Sequence, residues 1–319
     1  MAFQWPSIPY PPSQEGFWAP VTSTINWCEE DYYVTIYSAE IVNTLTNILF
    51  IALGVKGIRN CLKYGHDTIF LVAFIGYVMV GSGSFAFHST LKYPMQLVDE
   101  LSMIYSSLIM LYASFSLQRS ARFLQVLGVS LVSLGLFITL YYHYLQDPVF
   151  HQNAFALITI IVVVRSMYMM EVNLRPSLRK KATNGSGSSS KALQLVNEQR
   201  DKIILKEMWW MVAIGLSIFL GGFAIWGLDR IYCSNIRRWR RQIGLPWGIL
   251  LEGHGWWHIM TGVGSYFYIV WAIWLRYCMT QSQDKYALNW PGVVSSLPEV
   301  VLRKELKPAA GSNGHLKGE

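Results

Sequence analysis

Long apolar runs recur along the chain at roughly 41–58, 68–90, 96–117, 123–145, 149–170, 208–228 and 247–275. Each is close to the ~20 residues that a helix needs to cross a bilayer core. Charge, Pro or Gly separates them, at Tyr64-Gly65-His66-Asp67, Tyr93-Pro94, Gln118-Arg119, Asp147-Pro148 and Gly244-Leu245-Pro246. The pattern predicts an all-α membrane protein, a seven-transmembrane helix bundle. Lys56 cuts the first run short, and the last is long enough to tilt or overrun the bilayer. The first 25 residues, rich in Pro and aromatics, lack the apolar core of a cleavable signal peptide, so the first span is expected to insert the chain.

Composition agrees with a lipid setting: of 319 residues, 52% are apolar and 14% charged, against about 25% charged in a typical soluble domain. No internal repeat is visible. The expected organisation is an N-terminal segment (1–40), one helical domain (41–278) and a flexible tail (279–319). The expected partners are a lipid substrate and the bilayer, not nucleic acid, and the sequence leaves oligomeric state open.

Basic residues in the loops set the orientation. The first 40 residues carry Glu15, Glu29, Glu30, Asp31 and Glu40 but no Lys or Arg, while the loop after the first span has Lys56, Arg59 and Lys63. The N-terminus is therefore expected in a lumen and the C-terminus in the cytosol. The third loop (Arg119, Arg122) and the long fifth loop from Arg175 to Lys206 agree. The sixth disagrees, because Arg230, Arg237, Arg238, Arg240 and Arg241 would be lumenal. Cys28 and Cys233 fall on the lumenal side and Cys61 and Cys278 on the reducing side. That sorting favours a Cys28–Cys233 bridge, with two free thiols the alternative. Asn184 opens a glycosylation sequon inside a Gly/Ser-rich stretch, 182–191, that this orientation places in the cytosol and leaves unmodified.

Three histidines sit within the apolar runs: His88, His254 and His258. An ionisable group at membrane depth costs energy unless it is paired or faces a cavity, which makes it a functional candidate. The four-residue step from His254 to His258 puts both rings on one helix face, where they can share a zinc ion. His88 supplies a third ligand, and three protein ligands with one open position are the mark of a catalytic zinc. Asp99, early in the third run, can move a proton, though by itself a first-turn acid beside Glu100 explains it equally. Ser84, four residues before His88, shares its helix face and can donate to an oxyanion. The surrounding Gly81-Ser82-Gly83-Ser84 is also what close helix packing uses. If the runs alternate direction, all five residues occupy the lumenal half. In the N-terminal segment, Asn26, Trp27, Glu29 and Asp31 with the distant Glu40 offer oxygen donors at alternating positions, as hard-cation sites do, without EF-hand spacing. A solvated acidic stretch is the plainer explanation.

Four motifs in order carry a resemblance: Asn26-Trp-Cys-Glu-Glu-Asp-Tyr32, Gly81-Ser-Gly-Ser-Phe-Ala-Phe-His88-Ser-Thr-Leu, Gln96-Leu-Val-Asp99-Glu-Leu-Ser-Met103 and Gly253-His254-Gly-Trp-Trp-His258. Over residues 20–280 the chain resembles the alkaline ceramidases. The resemblance implies a seven-helix intramembrane zinc amidase that cleaves ceramide to a sphingoid base and a fatty acid. It implies zinc on His88, His254 and His258, proton transfer by Asp99 and oxyanion assistance by Ser84. A calcium ion would sit on Asn26, the Trp27 carbonyl, Glu29, Asp31 and Glu40, with a lumenal disulfide between Cys28 and Cys233. Asn26 and Asp31 stand exchanged relative to the family pattern, which preserves formal charge. The implied location is the endoplasmic reticulum or Golgi membrane. The alternative class is a zinc-containing seven-helix receptor of the adiponectin-receptor type. An intramembrane metalloprotease fits less well, because no Glu follows His254 as such enzymes require.

Overall fold

The computed structural model describes residues 6–178, 191–292 and 296–306. Its helices are α1 (Ile41–Thr46), α2 (Ile48–Tyr64), α3 (Thr68–Thr90), α4 (Tyr93–Ser116), α5 (Ala121–Leu145), α6 (Pro148–Leu174), α7 (Lys191–Ile231), α8 (Cys233–Ile243) and α9 (Gly253–Met279). A 3-10 turn, Trp247–Leu251, precedes α9, and strands β1 (Tyr286–Asn289) and β2 (Glu299–Leu302) follow it. The boundaries have local causes. Asp147 caps α6, its side chain accepting from Val149 N, with Pro148 at the first helical position. Gly65 ends α2 in the left-handed conformation, at φ 66°.

Six helical stretches are long and apolar enough to cross a membrane: Ile41–Tyr64, Thr68–Thr90, Ala121–Leu145, Pro148–Leu174, Leu195–Ile231 and Gly253–Met279. The third expected span, α4, has the length but not the apolarity, because Gln96, Asp99, Glu100 and several serines lie in it. The helix α9 is the axis of the bundle: 67% of its apolar window is buried, against 11% for α5, which stands at the periphery.

The structure departs from the sequence reading in five places. Lys56 does not end the first span, since it pairs with Glu299 and the helix runs on to Tyr64. The sixth helix begins well before residue 208, at Lys191. The seventh begins at Gly253 rather than 247, because residues 247–251 form the 3-10 turn. The sixth loop contains the amphipathic helix α8. The tail is not uniformly flexible, and the fold is not purely helical, because β1 and β2 pair antiparallel with Tyr286 opposite Leu302. That hairpin is pinned to the bundle: Tyr266 Oη donates to the Pro298 carbonyl at 3.2 Å, and the Tyr277 and Tyr286 rings stack at 3.8 Å. Val300 and Val301, adjacent and both buried, make too short an apolar pair to stand out from the polar composition around them. Asn184 lies outside the described residues.

Small residues let α3 approach two neighbours. A Cβ on Gly81 would come within 2.4 Å of Phe50 Cβ on α2, and one on Gly83 within 3.1 Å of Asp99 N on α4. Gly81→Val is therefore expected to destabilise the fold by about 1–3 kcal/mol through overpacking. A melting temperature equal to the parent's would contradict that packing.

Candidate metal centre

His88 comes from the last turn of α3, and His254 and His258 from the first two turns of α9. The one-turn spacing on α9 brings its two ring centroids to 4.6 Å, and His88 completes a triangle at 5.0 Å from His254 and 4.8 Å from His258. All three are buried, and their ligand nitrogens lie within 4.8 Å of one another. The helices bearing them are thus neighbours at this end.

Each ring is oriented from outside. Glu40 hydrogen-bonds His88 Nδ1. Thr46 Oγ1 lies 3.0 Å, and Asn47 Nδ2 3.3 Å, from His258 Nδ1. Trp27 stacks on His254 with centroids 4.4 Å apart. Holding Nδ1 in this way fixes a ring's orientation and leaves Nε2 for a ligand. Sequence reasoning missed Thr46 and Asn47. They lie at the join of α1 and α2, facing α9, and only the polar Asn-Thr-Leu-Thr-Asn run at the start of the first span could have signalled them.

The donor set fits a metal ion. His88 Nε2 and His254 Nδ1 are buried with no hydrogen-bond partner among the described residues, a costly state for three clustered imidazoles unless an ion completes it. The first-turn explanation of Asp99 does not hold. It lies in the second turn of α4, and it lines the same cavity as Ser84, His254 and His258. That cavity has a volume of about 750 Å³. Its wall on α9 extends from His254 to Trp271, about 25 Å of helix rise. Beyond the histidine end the wall is mostly apolar, with Phe155, Leu216, Phe219 and Trp257 among its side chains.

The acidic N-terminal segment folds against this centre. The Glu29 carboxylate accepts from Val42 N at 2.7 Å and Asn43 N at 2.8 Å, capping the start of α1, while Glu40 also accepts from Trp27 N at 3.0 Å. Asn26 donates to Asp31 at 2.9 Å, and Asp31 Oδ1 is buried without a hydrogen-bond partner among the described residues. Burial, then neighbouring Glu252 and Glu40, push the Glu29 carboxyl well above its ordinary range. Burial likewise raises Asp31, and takes Glu40 up to about 7. An oxygen-only set of three carboxylates, an amide and the Trp27 carbonyl suits a hard cation. Arg237 competes for it, its Nη2 donating to that carbonyl at 3.2 Å.

A disulfide joins Cys28 to Cys233 with Cα atoms 5.5 Å apart, tying the segment to α8. The arginines that disagreed with the loop-charge rule are spent on internal partners. Arg237 donates to the carbonyls of residues 27 to 29, Arg240 pairs with Glu252, and Arg241 with Glu30. Arg240 and Arg241 are charge-paired within the protein and Arg237 is held by backbone carbonyls, so these three weigh less in the loop-charge count.

Fold and site define a helical protein of membrane-spanning architecture with a buried three-histidine centre at the head of a long apolar cavity. The chain belongs to the ceramidase family, whose profile matches residues 19–301. It is similar to alkaline ceramidase 3 of Mus musculus, 32% identical over 285 residues, covering 88% of this chain and 95% of that protein. An alkaline ceramidase of Saccharomyces cerevisiae is 36% identical over 307 residues, covering 94% and 90%. One of Arabidopsis thaliana is 24% identical over 251 residues, covering 79% and 83%. Family membership places the chain among enzymes and sets aside the receptor alternative.

His258→Ala removes one ligand of three. Bound metal in the purified protein is expected to fall from about one ion per chain to a small fraction, with the helical circular-dichroism signal retained. Parent-level metal content in that variant would rule out the three-histidine centre.

Proposed function

We propose that the chain hydrolyses the amide bond of ceramide-class lipids, releasing a sphingoid base and a fatty acid, at the three-histidine centre. What carries the reading is one juxtaposition: three buried imidazoles, a carboxylate and a hydroxyl at the head of a cavity that is otherwise apolar and long enough for a lipid chain. The family relatives are named for the same activity.

The ion assigned to His88, His254 and His258 is zinc, which when bound supplies a Lewis acid for the amide carbonyl and lowers the pKa of water. The residues of the chain do the rest. Asp99 positions the attacking water, takes its proton, and returns it to the amide nitrogen, so that the leaving group departs as a neutral amine. The Ser84 hydroxyl, in the same cavity wall, donates to the developing oxyanion. Trp27 and Trp257 exclude bulk water, and the apolar wall receives the lipid. The same reading puts the N-terminal segment and the centre on the lumenal side of an endoplasmic reticulum or Golgi membrane. Calcium on Asn26, Trp27, Glu29, Asp31 and Glu40 would offset the acidic charge buried beside the centre.

Asp99→Asn is expected to lower turnover of ceramide by about 10²–10⁴-fold, the usual worth of a positioned acid-base group, with metal content unchanged. Activity within threefold of the parent would remove Asp99 from the reaction. Calcium is expected to raise the melting temperature of the parent after chelation, and to leave that of Asp31→Ala unchanged. Identical calcium responses in the two proteins would remove the calcium assignment.

A further inference from the structure

The cavity wall beside Asp99 contains a polar pair that the hydrolytic chemistry leaves unused. Glu100, on α4, and His151, in the first turn of α6, both line the cavity and are 6% and 3% exposed. One carboxylate oxygen of Glu100, Oε2, is committed: it accepts from Tyr142 Oη and from Gln96 Nε2, the latter at 3.0 Å. Gln96 is held in turn by Thr24, whose backbone N–H lies 2.8 Å from Gln96 Oε1. On His151, Nε2 lies 2.8 Å from the backbone carbonyl of Glu100. A carbonyl only accepts, so Nε2 carries the proton.

The remaining two atoms face each other. His151 Nδ1 is 3.6 Å from Glu100 Oε1 and has no hydrogen-bond partner among the described residues. A doubly protonated ring would close on the carboxylate to roughly 2.7–2.9 Å, as charge-assisted pairs do. At 3.6 Å the arrangement is that of a neutral imidazole, its bare Nδ1 lone pair turned toward a carboxylate oxygen. Two acceptors face each other across a polar gap in a mostly apolar wall, and a hydroxyl or a water that donates between them completes the pair.

We propose that Glu100 and His151 bind a hydroxyl of the sphingoid headgroup and set the preference of the site for hydroxylated bases. The inference rests on the ceramide reading above and adds to it a recognition site. A ceramide has hydroxyls on the carbons flanking the one that bears the amide. With that amide at the three histidines, the hydroxyls lie in the same cavity, whose lining includes Asp99, Glu100 and His151. The hydroxyl donates into the gap, to Oε1 or Nδ1, and replaces the water it leaves behind. A lipid amide without it leaves both acceptors unpaired, which is the situation in which sites discriminate strongly.

The experiment measures kcat/KM of the purified full chain on ceramide and on two analogues, one lacking the 1-hydroxyl and one the 3-hydroxyl. The parent is expected to lose about tenfold or more on one analogue, the worth of one buried hydrogen bond. Glu100→Gln, whose amide oxygen stays with Tyr142 and whose nitrogen then faces the gap, should lose about as much on ceramide. His151→Phe should do the same, and both variants should process that analogue at the parent's rate. Equal rates of the parent on all three lipids overturn the proposal, and this arm decides even if the variants do not fold. Equal losses by the variants on ceramide and analogue also overturn it, since they mark a network that merely braces α4 against α5 and α6. A parent that cleaves none of the lipids overturns the ceramide reading itself, and with it this inference.

Discussion

The structure depends on one constraint: three imidazoles and several carboxylates are buried at one end of a bundle whose surroundings cannot solvate them. Each must find its partner in another part of the chain, and those partnerships fix which elements meet. Glu40 draws the N-terminal segment onto His88. Thr46 and Asn47, at the join of α1 and α2, hold His258 on α9. Glu29 caps α1, Arg237 caps the carbonyls of residues 27 to 29, and the Cys28–Cys233 disulfide locks the segment to α8. The folded N-terminal segment is in effect the outer shell of the metal centre, and closing it completes the site.

A second consequence concerns how the two halves of the site divide their work. Gly83 lets the backbones of α3 and α4 approach beside Ser84 and Asp99, and a Cβ there would crowd Asp99 N at 3.1 Å. The small residues of α3 therefore serve packing and chemistry together. At the opposite end the C-terminal hairpin closes over Tyr266 and Tyr277, so that α9 is enclosed along its length and holds its histidines on a rigid axis.

Much of the site was legible in the sequence because its residues break a strong rule: histidines in apolar runs are expensive, and the i, i+4 pair His254 and His258 states a helix face outright. The spans were legible for the same reason, apart from α4, whose apolarity is diluted by the polar groups it brings to the cavity. What could not be read were features that depend on distant contacts. Thr46 and Asn47 look like ordinary helix residues until α9 lies beside them. Of the five arginines of the sixth loop that conflicted with the orientation, Arg237, Arg240 and Arg241 have partners within the protein that only the fold brings to them. The hairpin escaped notice because four-residue strands in a polar tail acquire their pattern only from the surface they cover.

The most direct test of the central claim is reconstitution of metal-free protein with zinc while ceramide hydrolysis is followed. The account predicts no turnover without metal and a linear return of activity that saturates at one zinc per chain. Full hydrolysis by protein containing no metal would contradict it.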